Sequence, residues 1–140
     1  VKIEKKESTQ ADILSKDKKL ENKNILIVED DAASYFLVKE ILSNYKLKIF
    51  RSENDRDAMD ILHSTPNIDL ILMDIQLPAM NGYDATHIIK KDFPGIPVIA
   101  QTANAMEGDR QKALDAGCSD YITKPLSYHD LIEKIRLHIK

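Results

Sequence analysis

The amino-acid sequence predicts an α/β fold, in which one doubly wound domain is built around a parallel sheet of five strands. Three observations lead to this prediction. Five short apolar runs alternate with five segments of helical periodicity from Lys23 to the end of the chain. The third run, residues 68–73, is apolar at five of its six positions, which is typical of a strand buried on both faces. Polar residues separate the runs, so each strand and the helix after it form one βα unit.

The strands are predicted from apolar runs that contain many branched side chains. The first run ends in an acidic triplet that begins at Glu29, and the third ends in Asp74. In chain order, the predicted strands are residues 24–29, 46–51, 68–73, 96–101 and 119–122.

The predicted helices alternate with these strands and occupy, in chain order, residues 32–45, 53–64, 82–92, 106–117 and 127–139. Four helix starts place a capping side chain three residues before an acid. These pairs are Ser52 with Asp55, Asn81 with Asp84, Asn104 with Glu107, and Ser127 with Asp130. Gly117 is typical of a helix end. Apolar residues lie on one side, with Phe36, Leu37, Ile41 and Leu42 in the first helix and Leu131, Ile132, Ile135 and Ile139 in the last. Helices on both faces of the sheet would give a three-layer sandwich.

Composition limits the classes of function. The chain has 140 residues, 43% of them hydrophobic, and a formal net charge of -3 with basic residues scattered along it. This argues against nucleic-acid binding by this chain. No apolar run approaches the roughly 20 residues of a membrane span, so we expect a cytoplasmic domain without membrane contact. Cys118 is the only cysteine, so no internal disulfide can form.

Residues 1–22 are rich in lysine and other polar residues and have few apolar positions. We therefore expect a tail or interdomain linker there, and a single domain over residues 23–140.

Acidic residues follow two of the predicted strands. Glu29, Asp30 and Asp31 end the first, and Asp74 ends the third. The carboxyl ends of parallel strands meet at one edge of a sheet, so at least three carboxylates should gather there. At a separation of about 5 Å and an effective dielectric near 20, each like-charged pair repels by roughly 3 kcal/mol. The cluster therefore indicates a bound cation.

Two further side chains fall at the same edge. Thr102 follows the fourth strand, and Lys124 follows the fifth. Carboxylates suit a hard cation such as Mg²⁺, while an ammonium and a hydroxyl suit the oxygens of a phosphoryl group. The combination indicates phosphoryl transfer to a carboxylate.

Four motifs together resemble the response-regulator receiver domains of two-component signalling over residues 23–140. They are Ile-Leu-Ile-Val-Glu-Asp-Asp at 25–31, Leu-Ile-Leu-Met-Asp-Ile-Gln-Leu-Pro-Ala-Met-Asn-Gly at 70–82, Ala-Gln-Thr-Ala-Asn-Ala at 100–105 and Asp-Tyr-Ile-Thr-Lys-Pro at 120–125. The amino-acid sequence around residues 102–110 and 116–121 is most similar to that of receivers of hybrid sensor histidine kinases. The resemblance implies the flavodoxin-like strand order 2-1-3-4-5.

The resemblance also implies roles for single residues. Asp74 would accept the phosphoryl group, and Asp30 and Asp74 would bind Mg²⁺, or Mn²⁺ as an alternative. Glu29 would act on the metal mostly through water, and the backbone carbonyl of Gln76 would be a further ligand. Asp31 matches no ligand position and is interpreted as a helix-start residue.

On the phosphoryl side, the resemblance implies that Lys124 contacts one oxygen. The hydroxyl of Thr102 and the backbone N–H of Ala103 would contact another. Tyr121 matches the aromatic switch of the family, which turns inward when the threonine is drawn to the phosphoryl group. The bond between Lys124 and Pro125 matches one that is usually cis in the family.

The sequence departs from the commonest family pattern at three positions. Leu77 and Asn81 stand where Met and Asp are frequent, and Gln101 stands where an apolar residue is usual. None of these removes a catalytic group. Gln76 and Asn104 flank the expected path of hydrolytic water and could set the lifetime of the phosphoryl group.

The implied partner is a histidine kinase or a histidine phosphotransfer domain, which would supply phosphohistidine to a monomer or weak dimer of this chain. Such a domain is not a conventional enzyme on its own. No output domain follows the last helix, so we expect residues 1–22 to be the linker from an upstream kinase in a hybrid protein, whose parent would be a sensor histidine kinase.

The same residues argue against two other classes of function. A haloacid-dehalogenase-type phosphatase needs a second acid two residues after the nucleophile, where this chain has Gln76. The four glycines form no nucleotide-binding loop. A receiver-like interaction module that takes no phosphate stays open as the alternative.

Overall fold

The computed structural model describes residues 18–77, 80–103 and 107–139. The expected tail therefore lies mostly outside the described residues. So do Asn104, predicted to cap a helix and to flank the water path, and Pro78 and Ala79 of the loop after the third strand.

The described residues form five βα units, as predicted. The strands are β1 (Asn24–Val28), β2 (Lys48–Ser52), β3 (Leu70–Asp74), β4 (Val98–Thr102) and β5 (Asp120–Thr123). The helices are α1 (Ala32–Leu42), α2 (Asp55–Ser64), α3 (Gly82–Asp92), α4 (Glu107–Ala116) and α5 (Tyr128–His138). None of the helices in this part of the chain is both long and apolar enough to cross a bilayer.

All neighbouring strands pair in parallel, and their order across the sheet is β2-β1-β3-β4-β5. The predicted fold class and strand order are thereby confirmed. Because successive side chains of a strand point to opposite faces, each strand contributes to two hydrophobic cores. One core joins the sheet to α1 and α5, and the other joins it to α2, α3 and α4. The result is the predicted three-layer sandwich.

Helix capping agrees with the prediction at Asn81 and Ser127, whose side chains accept the backbone N–H of the third residue that follows. Asp31 caps α1 in the same way, as its interpretation as a helix-start residue predicted. The prediction for Ser52 is wrong. Ser52 is the buried last residue of β2, held there by pairing with Val28, and Asn54 caps α2 instead.

The predicted apolar face of α1 is also wrong in part. Phe36 and Leu37 are 58% and 47% exposed, whereas Tyr35 and Val38 are buried against the sheet together with Ile41 and Leu42. The helix is therefore rotated relative to the prediction, and two large apolar side chains lie on its outer surface.

Leu20, which the sequence analysis assigned to the tail, is fully buried in the core shared with α1 and α5. The backbone N–H of Asn22 donates to the carbonyl of Lys46, and that of Lys48 donates to the carbonyl of Lys23. The segment before β1 is thus fastened to the domain from Leu20 onward.

Candidate functional site

The carboxyl ends of β1 and β3, which are neighbours in the sheet, bring three acids together. Carboxylate oxygens of Glu29, Asp30 and Asp74 all lie within 4.8 Å of one another. Glu29 and Asp74 are buried, with 0% and 3% of their surface exposed, while Asp30 is exposed. The convergence predicted for these side chains is therefore present, with one face open to solvent.

Lys124, at the end of β5, reaches into this cluster. Its ammonium nitrogen lies 3.3 Å from Glu29 Oε1 and 3.3 Å from Asp74 Oδ1. Burial lowers the pKa of Lys124, but the charges of Asp74 and Glu29 outweigh burial and raise it above its ordinary value. The lysine is therefore held as a cation between two buried acids. The peptide bond from Lys124 to Pro125 is cis, as the resemblance implied.

The ionisation of Glu29 is strongly perturbed. Burial, a hydrogen bond with the Asp74 carboxyl and the charge of Asp74 raise the pKa of Glu29 to about 7. The backbone N–H of Asp31 and the charge of Lys124 act in the opposite direction but do not cancel these effects. The single positive charge of Lys124 is therefore too little to keep both buried acids ionised. A second cation would favour the ionised form of Glu29.

The donor set fits a hard divalent cation. Three carboxylates offer oxygen ligands, and the exposed Asp30 leaves a route for a hydrated ion. Ligand oxygens of Mg²⁺ stand about 2.1 Å from the ion, so two of them are at most about 4.2 Å apart. The acidic oxygens lie within 4.8 Å of one another, so at most a small shift of the side chains would let them share one ion.

Backbone groups fix the orientation of the two buried acids. The N–H of Gln76 donates to Asp74 Oδ1 over 3.1 Å, and the N–H of Asp31 donates to Glu29 Oε2 over 3.2 Å. Each carboxylate is thereby held by the loop that follows its own strand. The N–H of Gln76 points toward Asp74, and its side chain is exposed.

Thr102 ends β4 and is 6% exposed. Its hydroxyl donates to Asp109 Oδ2 of α4 over 3.5 Å, a long hydrogen bond. Ala103 follows Thr102 directly and is exposed at the same edge of the sheet. The threonine hydroxyl therefore contacts α4 in this structure, while Lys124 contacts Asp74.

Tyr121 pairs with Ala100 in the sheet and packs, half-buried, against the core on the α2, α3 and α4 face. Its ring centre lies 5.9 Å from the ammonium of Lys134 on α5. The ring of Tyr121 thus lies on β5, the edge strand, next to β4, which ends in Thr102.

Two contributions to the site become clear only in the structure. Arg51 on β2 donates to the backbone carbonyls of Glu29 and Asp30 over 3.3 and 3.4 Å, and its guanidinium stacks 4.5 Å from the centre of the Tyr35 ring. It holds the acidic loop in place. A lone basic residue on an edge strand is ordinarily a solvated charge, so only the structure reveals this contact.

The second contribution is a buried amide. Gln101 is fully buried next to Asp74 in the sheet register, and neither atom of its carboxamide has a hydrogen-bond partner among the described residues. Each unpaired buried polar atom costs about 1 to 3 kcal/mol. The sequence analysis noted Gln101 as a departure, but it could not show that the amide would be left without a partner.

The chain is similar to known proteins over most of its length. Residues 25–136 match the profile of the response regulator receiver domain. The chain is 38% identical over 119 residues to the polar-differentiation response regulator DivK of Brucella anthropi, covering 84% of this chain and 96% of DivK. It is 37% identical over 123 residues to hybrid signal transduction histidine kinase I of Dictyostelium discoideum, covering 82% of this chain but 7% of that kinase.

Solved structures share the fold. The receiver domain of a Saccharomyces cerevisiae response regulator, crystallised with a histidine phosphotransfer signaling protein, is 31% identical with a TM-score of 0.77, covering 85% of this chain and 90% of that one. The receiver domain of a Pseudomonas aeruginosa sensor histidine kinase, with a magnesium ion in its active-site cleft, is also 31% identical, with a TM-score of 0.75 and coverage of 84% and 97%.

Proposed function

The chain belongs to the response regulator receiver domain family of two-component signalling, and we propose on that basis that it accepts a phosphoryl group on Asp74 in a Mg²⁺-dependent phosphorelay. The single observation that carries this proposal is the buried Asp74 carboxylate. It lies 3.3 Å from the Lys124 ammonium, within a cluster of acidic oxygens that has one exposed member.

In the proposed reaction, a carboxylate oxygen of Asp74 attacks the phosphorus of a phosphohistidine on a partner protein. An O–P bond forms and the N–P bond breaks, and the bonding electrons go to the imidazole nitrogen, which takes a proton from solvent. The product is an acyl phosphate on Asp74. The protein contributes position and charge, which is most of what phosphoryl transfer requires.

We propose that Lys124 pairs with one phosphoryl oxygen once Asp74 is esterified, since its ammonium already lies at that carboxylate. The hydroxyl of Thr102 and the backbone N–H of Ala103 would bind a second oxygen. This requires Thr102 to exchange its 3.5 Å hydrogen bond to Asp109 for one to the phosphoryl group.

Asp30 and Asp74 would hold the metal directly, with Glu29 acting through water and the Gln76 carbonyl as a further ligand. When bound, Mg²⁺ would neutralise the carboxylates and the charge that develops on the phosphoryl oxygens. Glu29 and Asp74 are preorganised for this by the backbone N–H groups that each accepts.

The phosphorylation signal would be read on the face formed by α4, β5 and α5. Thr102 contacts Asp109 on α4, and Tyr121 lies on β5 beside Lys134 of α5. A shift of the Thr102 hydroxyl would break its hydrogen bond to Asp109 and make room for Tyr121 to turn inward. These two changes would link the site to the face formed by α4, β5 and α5.

The partner would be a histidine kinase or a histidine phosphotransfer domain. Phe36 and Leu37 form an exposed apolar pair on α1, and Asp31 at the start of this helix adjoins the acids. Five residues of helix span about 7.5 Å, so Phe36 is close enough to the site to contact a domain that presents phosphohistidine to Asp74. Large exposed apolar side chains are typical of such contacts.

We also propose that the receiver domain comprises residues 20–140, because Leu20 is buried in its core, and that the residues ahead of Leu20 act as a linker. A hybrid sensor kinase as the parent protein is one context that would suit this arrangement. The 37% identity to the receiver of a hybrid kinase supports that context, although the two-component role itself does not depend on it.

Replacement of the acceptor tests the function. Asp74→Asn should abolish Mg²⁺-dependent labelling by acetyl phosphate, because the amide is a poor nucleophile, and the wild-type label should be released by alkali or hydroxylamine. Asp60→Asn, at an exposed acid on α2, is the matched control and should label normally. Equal labelling of Asp74→Asn would refute Asp74 as the acceptor, and absence of labelling in the wild type would favour the interaction module that takes no phosphate.

Replacement of the exposed apolar pair tests the partner. Phe36→Asp should slow phosphoryl transfer from a phosphorylated histidine phosphotransfer protein at least ten-fold, because a charge would replace a contact, and should leave labelling by acetyl phosphate unchanged. Leu137→Asp is the control, since Leu137 is 70% exposed near the opposite edge of the sheet. Equal transfer rates in both variants would contradict docking on α1.

A further inference from the structure

Arg51 lies on β2, an edge strand of the sheet, and its side chain bonds to the loop that carries two of the acids. Its Nε atom donates to the carbonyl of Glu29 over 3.3 Å, and its Nη2 atom donates to the carbonyl of Asp30 over 3.4 Å. Both hydrogen bonds are long, but they come from one rigid, planar group. The guanidinium therefore fixes two successive carbonyl groups relative to each other and to β2.

The guanidinium is itself held in place by α1. Its central carbon lies 4.5 Å from the centre of the Tyr35 ring, and Tyr35 is buried in the core that α1 shares with α5. A contact between a cation and the face of an aromatic ring favours one position of the charged side chain. Arg51 is thus held between a buried ring and the acidic loop.

The carboxylate of Asp30 depends most on this support. Glu29 and Asp74 are buried, and each of them accepts a backbone N–H and the ammonium of Lys124. The Asp30 carboxylate is exposed, and it makes no hydrogen bond or ion pair with the residues that the structure describes. Its position therefore follows from the backbone to which it is attached, and Arg51 is bonded to that backbone.

The charge and the geometry of Arg51 have opposite effects on a cation in the acidic cluster. The positive charge repels a divalent ion, so by itself it weakens the binding of Mg²⁺. Hydrogen bonds that orient the ligand groups strengthen metal binding, and their loss typically costs roughly 10- to 100-fold in affinity. Because Arg51 is partly exposed and solvent screens its charge, we expect the geometric effect to be the larger of the two.

We propose that Arg51 is a positioning residue of the metal site. By holding the backbone of Glu29 and Asp30, it keeps the Asp30 carboxylate converged on the other two acids. Arg51 is not itself a ligand, since a guanidinium offers no acceptor atom. This inference rests on the proposed function, because it assumes that the three acids bind Mg²⁺.

Titration of the full 140-residue chain with MgCl₂ tests the proposal. The reporters are the nuclear magnetic resonance signals of the Asp31 and Gln76 backbone amides, which donate to the buried acids. Arg51→Lys keeps the charge but loses the planar fork, so it should weaken Mg²⁺ binding about ten-fold. Arg51→Met also removes the repulsion, so it should weaken binding about five-fold. Lys48→Met removes a positive charge from the exposed start of the same strand, and this matched control should bind Mg²⁺ as the wild type does.

Labelling by acetyl phosphate separates positioning from a direct role in the reaction. In Arg51→Lys, the concentration of Mg²⁺ that gives half-maximal labelling should rise about ten-fold, while the maximal rate should change much less. A general loss of stability would not produce this split. A fall in the maximal rate without a shift in the required concentration of Mg²⁺ would overturn the positioning role.

The outcomes also separate this inference from the proposed function. Unchanged Mg²⁺ affinity in Arg51→Lys, or tighter binding in Arg51→Met, would overturn the inference and leave the proposed metal site intact. Absence of Mg²⁺ binding by the wild type would overturn both.

Discussion

At the scale of single residues, the site is governed by one lysine shared between two buried acids. Lys124 lies 3.3 Å from both Glu29 and Asp74, and the acids are close enough to hydrogen-bond through a proton. Because the pKa of Glu29 is raised from 4.5 to about 7, the metal-free folded state holds that proton more firmly than the unfolded chain does.

This perturbation predicts an unusual pH dependence. A folded-state pKa above the unfolded value gives stability that is complete below pH 4.5 and is lost as the pH rises through about 7. Without Mg²⁺, the contribution of Glu29 should therefore fall by up to about 3 kcal/mol between these values. The lowered pKa of Asp120 changes the stability of the domain only as the pH drops below 3.8, and the raised pKa of Lys124 changes it only above 10.5. Neither group therefore masks the effect of Glu29.

Urea denaturation of the metal-free chain from pH 5 to pH 8 measures this dependence. Glu29→Gln should remove most of the loss of stability seen in the wild type, because glutamine mimics the protonated acid. Glu53→Gln, at an exposed acid, is the control and should keep the wild-type slope. Identical slopes for the Glu29→Gln variant and the wild type would show that Glu29 titrates normally.

At the scale of secondary structure elements, the close approach of α3 to the end of β3 positions Asp74, the proposed acceptor. Gly82 begins α3, and its N–H donates to the carbonyl of Ile75 over 2.7 Å. A Cβ at Gly82 would stand 2.3 Å from the carbonyl oxygen of Asp74 and 2.7 Å from the Cα of Ile75. The absence of a side chain at position 82 therefore allows the helix to approach the backbone of Asp74.

Gly82→Ala should accordingly destabilise the domain by about 1 to 3 kcal/mol and slow phosphorylation of Asp74, because the backbone that carries the carboxylate must move. The urea midpoint and the rate of labelling by acetyl phosphate measure the two effects. Gly95→Ala is the control, since no atom lies within 4 Å of its Cβ position. A normal midpoint for Gly82→Ala would mean that α3 can shift without disturbing β3.

The elements also show what sequence could and could not predict. The five βα units follow from the periodicity of strands and helices, which is a local property of the sequence. The meeting of Glu29, Asp30, Asp74 and Lys124 follows from the rule that the carboxyl ends of parallel strands share one edge of a sheet. The cap at Asn54 does not, because pairing with β1 extends β2 to Ser52 and so delays the helix. The face of α1 was misassigned because Tyr35 packs as an apolar residue while it supports Arg51, a contact between distant elements.

At the scale of the whole molecule, the net charge of -3 is modest, but three of the 23 acids lie within 4.8 Å of one another at the carboxyl edge of the sheet. The fold brings like charges together there at a cost in stability, since repulsion at these separations exceeds thermal energy even when solvent screens it. The sequence predicted this concentration but not the depth to which Glu29 and Asp74 are buried.

Relief of this repulsion should be measurable on the entire domain. Asp30→Asn should raise the melting temperature of the metal-free chain by about 2 °C, because a negative charge close to Asp74 and Glu29 is removed. Mg²⁺ should stabilise the wild type by about 2.7 kcal/mol at a hundred times its Kd, and should stabilise Asp30→Asn much less at the same concentration.

Thermal melts with and without Mg²⁺ measure both effects, and Asp60→Asn should behave as the wild type does in each condition. A lower melting temperature for Asp30→Asn, together with unchanged stabilisation by Mg²⁺, would contradict the repulsion argument.

The burial of Leu20 has a mechanical consequence. The Leu20 side chain is buried in the core, and the backbones of Asn22 and Lys23 are hydrogen-bonded to the segment that enters β2. A force that pulls on the chain ahead of Lys18 would therefore act on the hydrophobic core and on β2, the edge strand. A pull from that side would thus act on the domain as a whole, so that the sheet and its acidic edge would move together.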